Sequence, residues 1–342
     1  MIKKGGLDKQ VKKRIGDMAF FFLVMGLSFY MVFHGQDLKK IWAALSQLPF
    51  IYVGIAILNA LFFVSIEGCM IYYLLRSLDG GGSFWRCISY SFIGFFYSGI
   101  TPSATGGQPM QLYYMKKDGH SLSDSSVILM TVALIYKLVL VIIGIAALIF
   151  WNEPLQLYLE GYYPLYLLGL TLNTLLVAAL LAVMFAPNWM KHIIRVVEGL
   201  LILLKILKPS QKREEKIDGF IDNYQNAVGF LWTHKLRMGA VLLLTFIQRG
   251  SVFFLTYIIY RGFALEGADL LTVVLLQASV YIAVDMLPVP GAQGITELMY
   301  RSIFQGIFTG AFLMPSLYVT RGISFYFLMI VSLAVIFWNR KR

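Results

Sequence analysis

Glu67, Lys137, Arg249, Asp285 and Glu297 each stand within or beside a stretch of chain that is otherwise apolar, and Gln248 precedes Arg249. An ion at the centre of a bilayer costs about 3 kcal/mol even on the milder insertion scales, so such groups turn inward and pair. Lys137 and Arg249 have the sign to neutralise Glu67, Asp285 or Glu297. The chemistry open to them is electrostatic: holding a charged group, passing a proton, or bracing helices. Any one of them could be only a structural ion pair; the set together favours a path for a polar substrate. Nucleophilic and metal chemistry are not expected. Cys69 and Cys87 have no histidine near them in sequence, and His34, His120, His192 and His234 are scattered without ligand spacing. The chain contains no G-x-x-x-x-G-K-[ST] loop, which argues against ATP as an energy source, and no cofactor is expected.

Two Gly/Pro clusters interrupt the apolar sequence close to these charges. The first is Thr101-Pro102-Ser103-Ala104-Thr105-Gly106-Gly107-Gln108-Pro109, and the second is Leu287-Pro288-Val289-Pro290-Gly291-Ala292-Gln293-Gly294-Ile295-Thr296-Glu297. Neither can sit in an unbroken helix. Non-helical backbone at membrane depth is tolerated only where it is buried in protein or lines a wet cavity. After each break a new half-helix can start. Pro109 suits a first helical turn, and Thr296 and Glu297 would follow Gly294 into another. Such N-termini present free N–H donors and a partial positive charge, which suits an anion such as a lipid phosphate. Simple packing kinks are the alternative, and the polar residues beside both clusters weigh against them.

The elements that must position these groups are membrane helices. Of 342 residues, 58% are hydrophobic and 14% charged, and several runs exceed the ~18 apolar residues that mark a spanning helix. No ten-residue alternation of the kind a membrane barrel requires is present. The expected fold is an all-α polytopic bundle with about six full spans, near 18–34, 50–75, 124–151, 163–186, 239–260 and 318–338. Two broken segments, near 85–115 and 269–314, complete it. The basic N-terminal residues and the Arg340-Lys341-Arg342 end place both termini in the cytoplasm of a multi-pass plasma-membrane protein. The first span is read as retained, because no small-x-small cleavage site follows it. On this topology the two breaks are entered from opposite faces, as inverted repeats around a midplane site would be.

Two polar regions flank the spans. Residues 36–48 read as an interfacial helix. Residues 187–237 read as a cytoplasmic helical loop within a single transmembrane domain of 1–342. In its first part Lys191, Arg195, Glu198, Lys205 and Lys208 share one helix face opposite Ile, Leu and Val, the pattern of a helix lying in the headgroup plane. In its second, Ile217, Phe220, Ile221, Tyr224, Val228 and Leu231 follow i, i+3, i+4 spacing. The net charge of +11 fits basic loops facing anionic lipid; with no nucleic-acid motif beside it, DNA is not an expected partner.

The run from Gly99 to Pro109, followed by Leu287 to Gly294 and then Glu297, resembles the lysylphosphatidylglycerol synthetase transmembrane family. That family includes the lipid-flipping half of the bacterial multiple-peptide-resistance factor. The resemblance covers roughly residues 15–338. It departs at Ala292, where the family pattern P-x-P-G-G-x-G-x-x-E has its second glycine. The resemblance implies translocation of a lipid, such as an anionic or aminoacylated phospholipid or a polyprenyl-phosphate lipid. Thr101, Pro102, Gly106, Gly107, Gln108, Pro288, Pro290, Gly291 and Gly294 would surround the headgroup. Arg249 or Lys137 would meet phosphate, and Glu67, Asp285 or Glu297 a cationic group or coupling proton. Membrane phospholipids are the expected partners, with a separate lipid-modifying enzyme and self-association as further ones. The alternatives are a phosphatidylglycerol lysyltransferase, disfavoured because the chain stops at Arg342 without a soluble transferase domain, and a non-transporting scaffold docking through 187–237.

Overall fold

The computed structural model describes residues 38–78, 81–101, 104–204, 211–289, 292 and 294–340. The expected first span, 18–34, lies outside the described residues. Within them the chain is helical and contains no strand. The short helix α1 (Leu38–Leu45) falls inside the expected interfacial segment. Then come α2 (Phe50–Leu78) and a broken pair, α3 (Phe84–Ile100) and α4 (Gly107–Lys117). Next are α5 (Leu122–Phe150), the short α6 (Asn152–Leu159), and α7 (Tyr163–Phe185). The polar pair α8 (Pro187–Leu203) and α9 (Gln211–Thr233) leads into α10 (Lys235–Gly262). A second broken pair follows, α11 (Leu270–Val284) and α12 (Ile295–Phe304). The last helix is α13 (Leu313–Arg321), a π-helical turn over Gly322–Phe327, and α14 (Leu328–Arg340).

Among the described residues five helical stretches are long and apolar enough to cross a membrane: Phe50–Leu78, Leu122–Phe150, Asn152–Phe185, Lys235–Gly262 and Leu313–Asn339. These match the expected spans with shifted ends. The last span starts before 318 because Pro315 sits in its first turn, where the missing N–H does no harm. Ser121 caps α5 by accepting the Asp124 N–H at 3.4 Å, and Asp269 caps α11 by accepting the Thr272 N–H at 3.3 Å. Hydrogen bonds from Thr272, its side chain first and its backbone N–H after it, hold the Asp269 carboxyl below its ordinary value.

Packing places the breaks at the centre. α2 lies against α10 and α3, and α14 lies against α3. α5 contacts α2, α4, α7, α10 and α11, so it runs through the middle of the bundle. Two glycines let the arms of the first broken pair approach. A Cβ on Gly107 would collide with the Ser98 hydroxyl and the Gly94 carbonyl, and one on Gly94 with the Gln111 side chain. At the ends of the same pair, Tyr90 donates to Asp118 at 2.6 Å, and Arg86 contacts Asp118 at 3.5 Å and Asn339 at 3.3 Å. The hairpin is thereby tied to the last helix.

The pair α8–α9 carries its own electrostatics. Lys191 bonds Asp218 at 2.7 Å and Arg213 bonds Glu198 at 2.5 Å, so charges on the two helices meet each other. The hydrogen bond and charge of Lys191 hold the Asp218 carboxyl below its usual range. Ile221, Tyr224, Val228 and Leu231 are buried, as their spacing predicts, with α9 packed on α5. Ile193, Val196, Val197, Leu200, Leu203 and Leu204 of α8 and the residue after it are exposed. Lys205 and Lys208 lie outside the described residues.

Candidate functional site

In the first break α3 ends at Thr101, whose backbone is extended. Its hydroxyl donates to the Tyr97 carbonyl at 2.7 Å and accepts the Gly106 N–H at 2.8 Å. Ser98 donates to the carbonyl of Ala104 at 3.3 Å. Ala104 has φ of 55°, a left-handed conformation that costs an L-residue about 1–2 kcal/mol. Pro109 falls in the first turn of α4, and Gln111, two residues on, donates through Nε2 to Glu67 at 2.6 Å.

The second break repeats parts of this pattern. Ala292 also has positive φ, at 50°. The chain therefore keeps a glycine-type backbone at the position where the resemblance expects glycine, although the residue is alanine. Gly294 has φ of 83° and starts α12, whose first turn holds Thr296 and Glu297. Glu297 folds back so that one carboxylate oxygen accepts the Gly294 N–H at 2.6 Å. Its other oxygen accepts from Nε of Arg321 at 2.7 Å. The N-terminus of this half-helix, expected to be open to an anion, holds the chain's own carboxylate.

Between the two breaks lies a cavity of about 230 Å³. Ser98, Gly99 and Ala104 line it from the first break; Leu287, Val289, Ala292 and Thr296 line it from the second. Gln277, Tyr281 and Asp285 of the α11 region and Thr320, Arg321 and Ser324 of the last helix complete its polar lining. Phe63, Phe95, Tyr300 and Phe325 supply aromatic wall.

A charge cluster backs this cavity. Asp285 accepts from Lys137 Nζ and, at 2.5 Å, from the Tyr136 hydroxyl. Arg249 sits with its guanidinium 4.2 Å from the Tyr136 ring centre and 4.7 Å from that of Phe63. Stacking of this kind shields an arginine from lipid while retaining its charge. Arg249 is 7% exposed, and its Nε has no hydrogen-bond partner among the described residues. Gln248 donates to the Phe63 carbonyl at 3.1 Å, which fixes the backbone under that ring.

The expected residues thus separate into groups. Asp285 lines the cavity, Lys137 pairs with it, and Arg249 lies one aromatic layer behind. Glu67 faces Gln111, with the positive charge of Arg249 acting on it from further off. Glu297 is held by Arg321, from the last helix. Gly106 and Thr101 satisfy each other, Gly107 is buried between the hairpin arms, and Gln108 and Pro288 are exposed. Pro102, Pro290 and Gly291 lie outside the described residues. Arg321, Gln111, Tyr136, Tyr281 and Thr320 are additions from the fold. Arg321 had a readable signal, a lone cation inside the apolar stretch 318–338; Gln111 and Tyr136 had none beyond adjacency to Pro109 and Lys137.

A family model described as the lysylphosphatidylglycerol synthase transmembrane region matches residues 17–332. The chain is also similar to a UPF0104 membrane protein of Pyrococcus horikoshii. The two are 27% identical over 276 residues, which covers 78% of this chain and 81% of the relative.

Proposed function

The chain belongs to the lysylphosphatidylglycerol synthase transmembrane-region family, and from that membership and the cavity between its broken helices we propose that it translocates a phospholipid, the headgroup passing through the cavity while the acyl chains stay in the bilayer. The observation that carries this reading is the lining of one cavity by both breaks at once. In this reading the apolar flanks of each break put irregular backbone at membrane depth, where it is tolerated if it lines a polar space. The cavity, at about 230 Å³, is below the roughly 300–1,000 Å³ of clefts that enclose drug-sized ligands. It has room for a headgroup and not for two acyl chains. Its wall mixes hydroxyls, an amide and two charged groups with aromatic rings, so a polar head can exchange water for side chains there.

Charge placement supports an anionic headgroup. Asp285 and Glu297 each already hold a basic side chain, and Glu67 holds an amide. Arg249, in contrast, has no carboxylate within ion-pair distance among the described residues. In this reading the Arg249 charge behind the aromatic wall attracts a phosphate arriving in the cavity.

The experiment is reconstitution into vesicles with fluorescent phosphatidylglycerol and measurement of its movement between leaflets. Wild-type protein is expected to accelerate movement well above protein-free vesicles. Arg249→Ala is expected to slow it roughly tenfold, corresponding to about 1.4 kcal/mol of barrier. Ser324→Phe, which fills the cavity, is expected to stop it. Background movement with wild type, or equal rates for all three proteins, overturns the reading.

A further inference from the structure

We propose that Glu67 is a proton-binding site linked to the headgroup cavity: it takes a proton from water as a phosphate seats against the Arg249 charge, and returns it when the phosphate leaves. The proposal rests on the reading of the cavity as a headgroup chamber and adds the ion that accompanies the head.

Three carboxyls stand among the helices around the two breaks: Asp285, Glu297 and Glu67. Asp285 pairs with Lys137, and Glu297 with Arg321. Protonating either would take a carboxylate away from a cation in the bundle, which is costly. Glu67 differs. Its hydrogen bond comes from a neutral amide, Nε2 of Gln111, at 2.6 Å. No cation lies within ion-pair distance of it among the described residues. An amide N–H can donate to a carboxyl oxygen whether or not the other oxygen carries a proton, so Glu67 can change charge and keep its partner. Gln111 is 3% exposed and rests on Gly94, where a Cβ would collide with the amide nitrogen, so the donor is held in place. Because Gln111 belongs to α4, the acid is tied to the first broken pair.

The same acid is placed to respond to the cavity. Phe63, one helical turn before it on α2, lines the cavity, and the Arg249 guanidinium lies 4.7 Å from the centre of its ring. The elements around α2 bring further titratable groups: Cys87 and Tyr90 from α3, Tyr114 from α4, Tyr136 and Lys137 from α5, Tyr224 from α9 and Tyr326 from the π-helical turn. Lys137 and Tyr136 bond Asp285, and Tyr90 bonds Asp118. The charge that acts on Glu67 is that of Arg249. One guanidinium thus acts on two anions, the Glu67 carboxylate and a phosphate in the cavity, and such coupling is reciprocal. A phosphate that neutralises Arg249 leaves the Glu67 carboxylate without an opposite charge in a low-dielectric bundle, and a carboxylate so placed takes up a proton. The phosphodiester brings one negative charge and the proton one positive charge. The loaded core therefore carries the same net charge as the empty one, which lowers the cost of moving the head through the membrane.

The test uses the full-length protein in weakly buffered detergent with phosphatidylglycerol, and with diacylglycerol of the same chains as the phosphate-free control. A pH indicator is expected to report uptake of about one proton for each phosphatidylglycerol bound, and none for diacylglycerol. Because the proton is taken up on binding, affinity for phosphatidylglycerol is expected to fall as pH rises, by about tenfold per unit where Glu67 exchanges its proton. Glu67→Gln keeps an acceptor for Gln111 and removes the charge; it is expected to bind tightly at every pH with no proton uptake. A carboxylate that only braces helices predicts instead that Glu67→Gln keeps whatever pH dependence the wild type has. Absence of proton uptake by the wild type overturns the proposal, whether or not Glu67→Gln folds, and so does uptake that persists in Glu67→Gln. Dimethyl phosphate, a diester without acyl chains, distinguishes the source of the anion. No uptake with it assigns the linkage to the lipid-borne diester, and uptake equal to that with phosphatidylglycerol assigns it to a free anion and overturns the lipid-borne reading. Proton-linked binding of phosphatidylglycerol without any lipid movement in vesicles would sink the translocation reading alone. Lipid movement by the wild type with no proton uptake on binding would sink the present inference alone.

Discussion

At the scale of single residues, the pairing of Lys137 with Asp285 is the tightest statement in the core, with Tyr136 adding a second donor to the same carboxylate. Both charged side chains are about one-seventh exposed, so removing one partner strands the other in a low-dielectric interior. Lys137→Met is expected to destabilise the protein by about 3–5 kcal/mol. The double variant Lys137→Met/Asp285→Asn is expected to recover most of that loss, because no unpaired charge remains. Thermal unfolding in detergent of the wild type, both single variants and the double variant reads this directly; strictly additive losses would contradict it. The sequence placed Asp285 beside the second break and Lys137 within the 124–151 span, and left Asp285, Glu67 and Glu297 as equal candidates for Lys137. Choosing among them required knowing that α5 packs on α11, a contact between residues far apart in the chain.

At the scale of elements, α8 sets an instructive case. Its charges Lys191 and Glu198 bind α9, while Ile193, Val196, Val197 and Leu200 face outward. One residue separates it from α7, a helix long and apolar enough to cross a membrane, so it is expected to start near the membrane boundary. An apolar stripe in that position is stable when it dips into the headgroup layer. A fluorophore on Leu200→Cys is expected to be quenched by brominated lipid, and one on Asp222→Cys, on the exposed side of α9, to be quenched by aqueous iodide instead. The reverse pattern would place α8 in water. The pair with Asp218 should persist well below neutral pH, since its carboxyl titrates below the ordinary range: the stabilisation is present above that range and is lost as pH falls through it. Periodicity in the sequence was sufficient for both helices, because amphipathic spacing is local. The partners of the charged face were not legible, since a lysine on a helix surface reads the same whether it meets lipid phosphate or a neighbouring aspartate.

At the scale of the whole molecule, the cavity exists because two broken pairs, α3–α4 and α11–α12, meet around α2 and the last helix. On the proposed translocation reading, the relation between those pairs changes as a headgroup passes. Cysteines at Ala104 and Ala292, one on each break and both lining the cavity, are expected to be bridged by a thiol-cleavable cross-linker in a background with Cys69 and Cys87 replaced. Bridging is expected to stop lipid movement in vesicles and reduction to restore it. Full activity of the bridged protein would show that the two breaks do not move relative to each other.

The sequence by itself determined that the chain is a helical membrane protein, where the five spans among the described residues run, and that two Gly/Pro clusters interrupt the apolar chain. Those properties follow from hydropathy, helix propensity and the cost of unsatisfied backbone in lipid, which act within a few turns of chain. Family membership was also legible there, carried by the two motifs. Only the tertiary structure decided that both breaks face one cavity, that the Arg249 guanidinium lies over the Tyr136 and Phe63 rings, and that Glu297 pairs with Arg321. Each of these depends on which helix faces turn toward one another, and apolar spans with nearly uniform surfaces encode that facing in side-chain fit between distant segments and not in any local pattern.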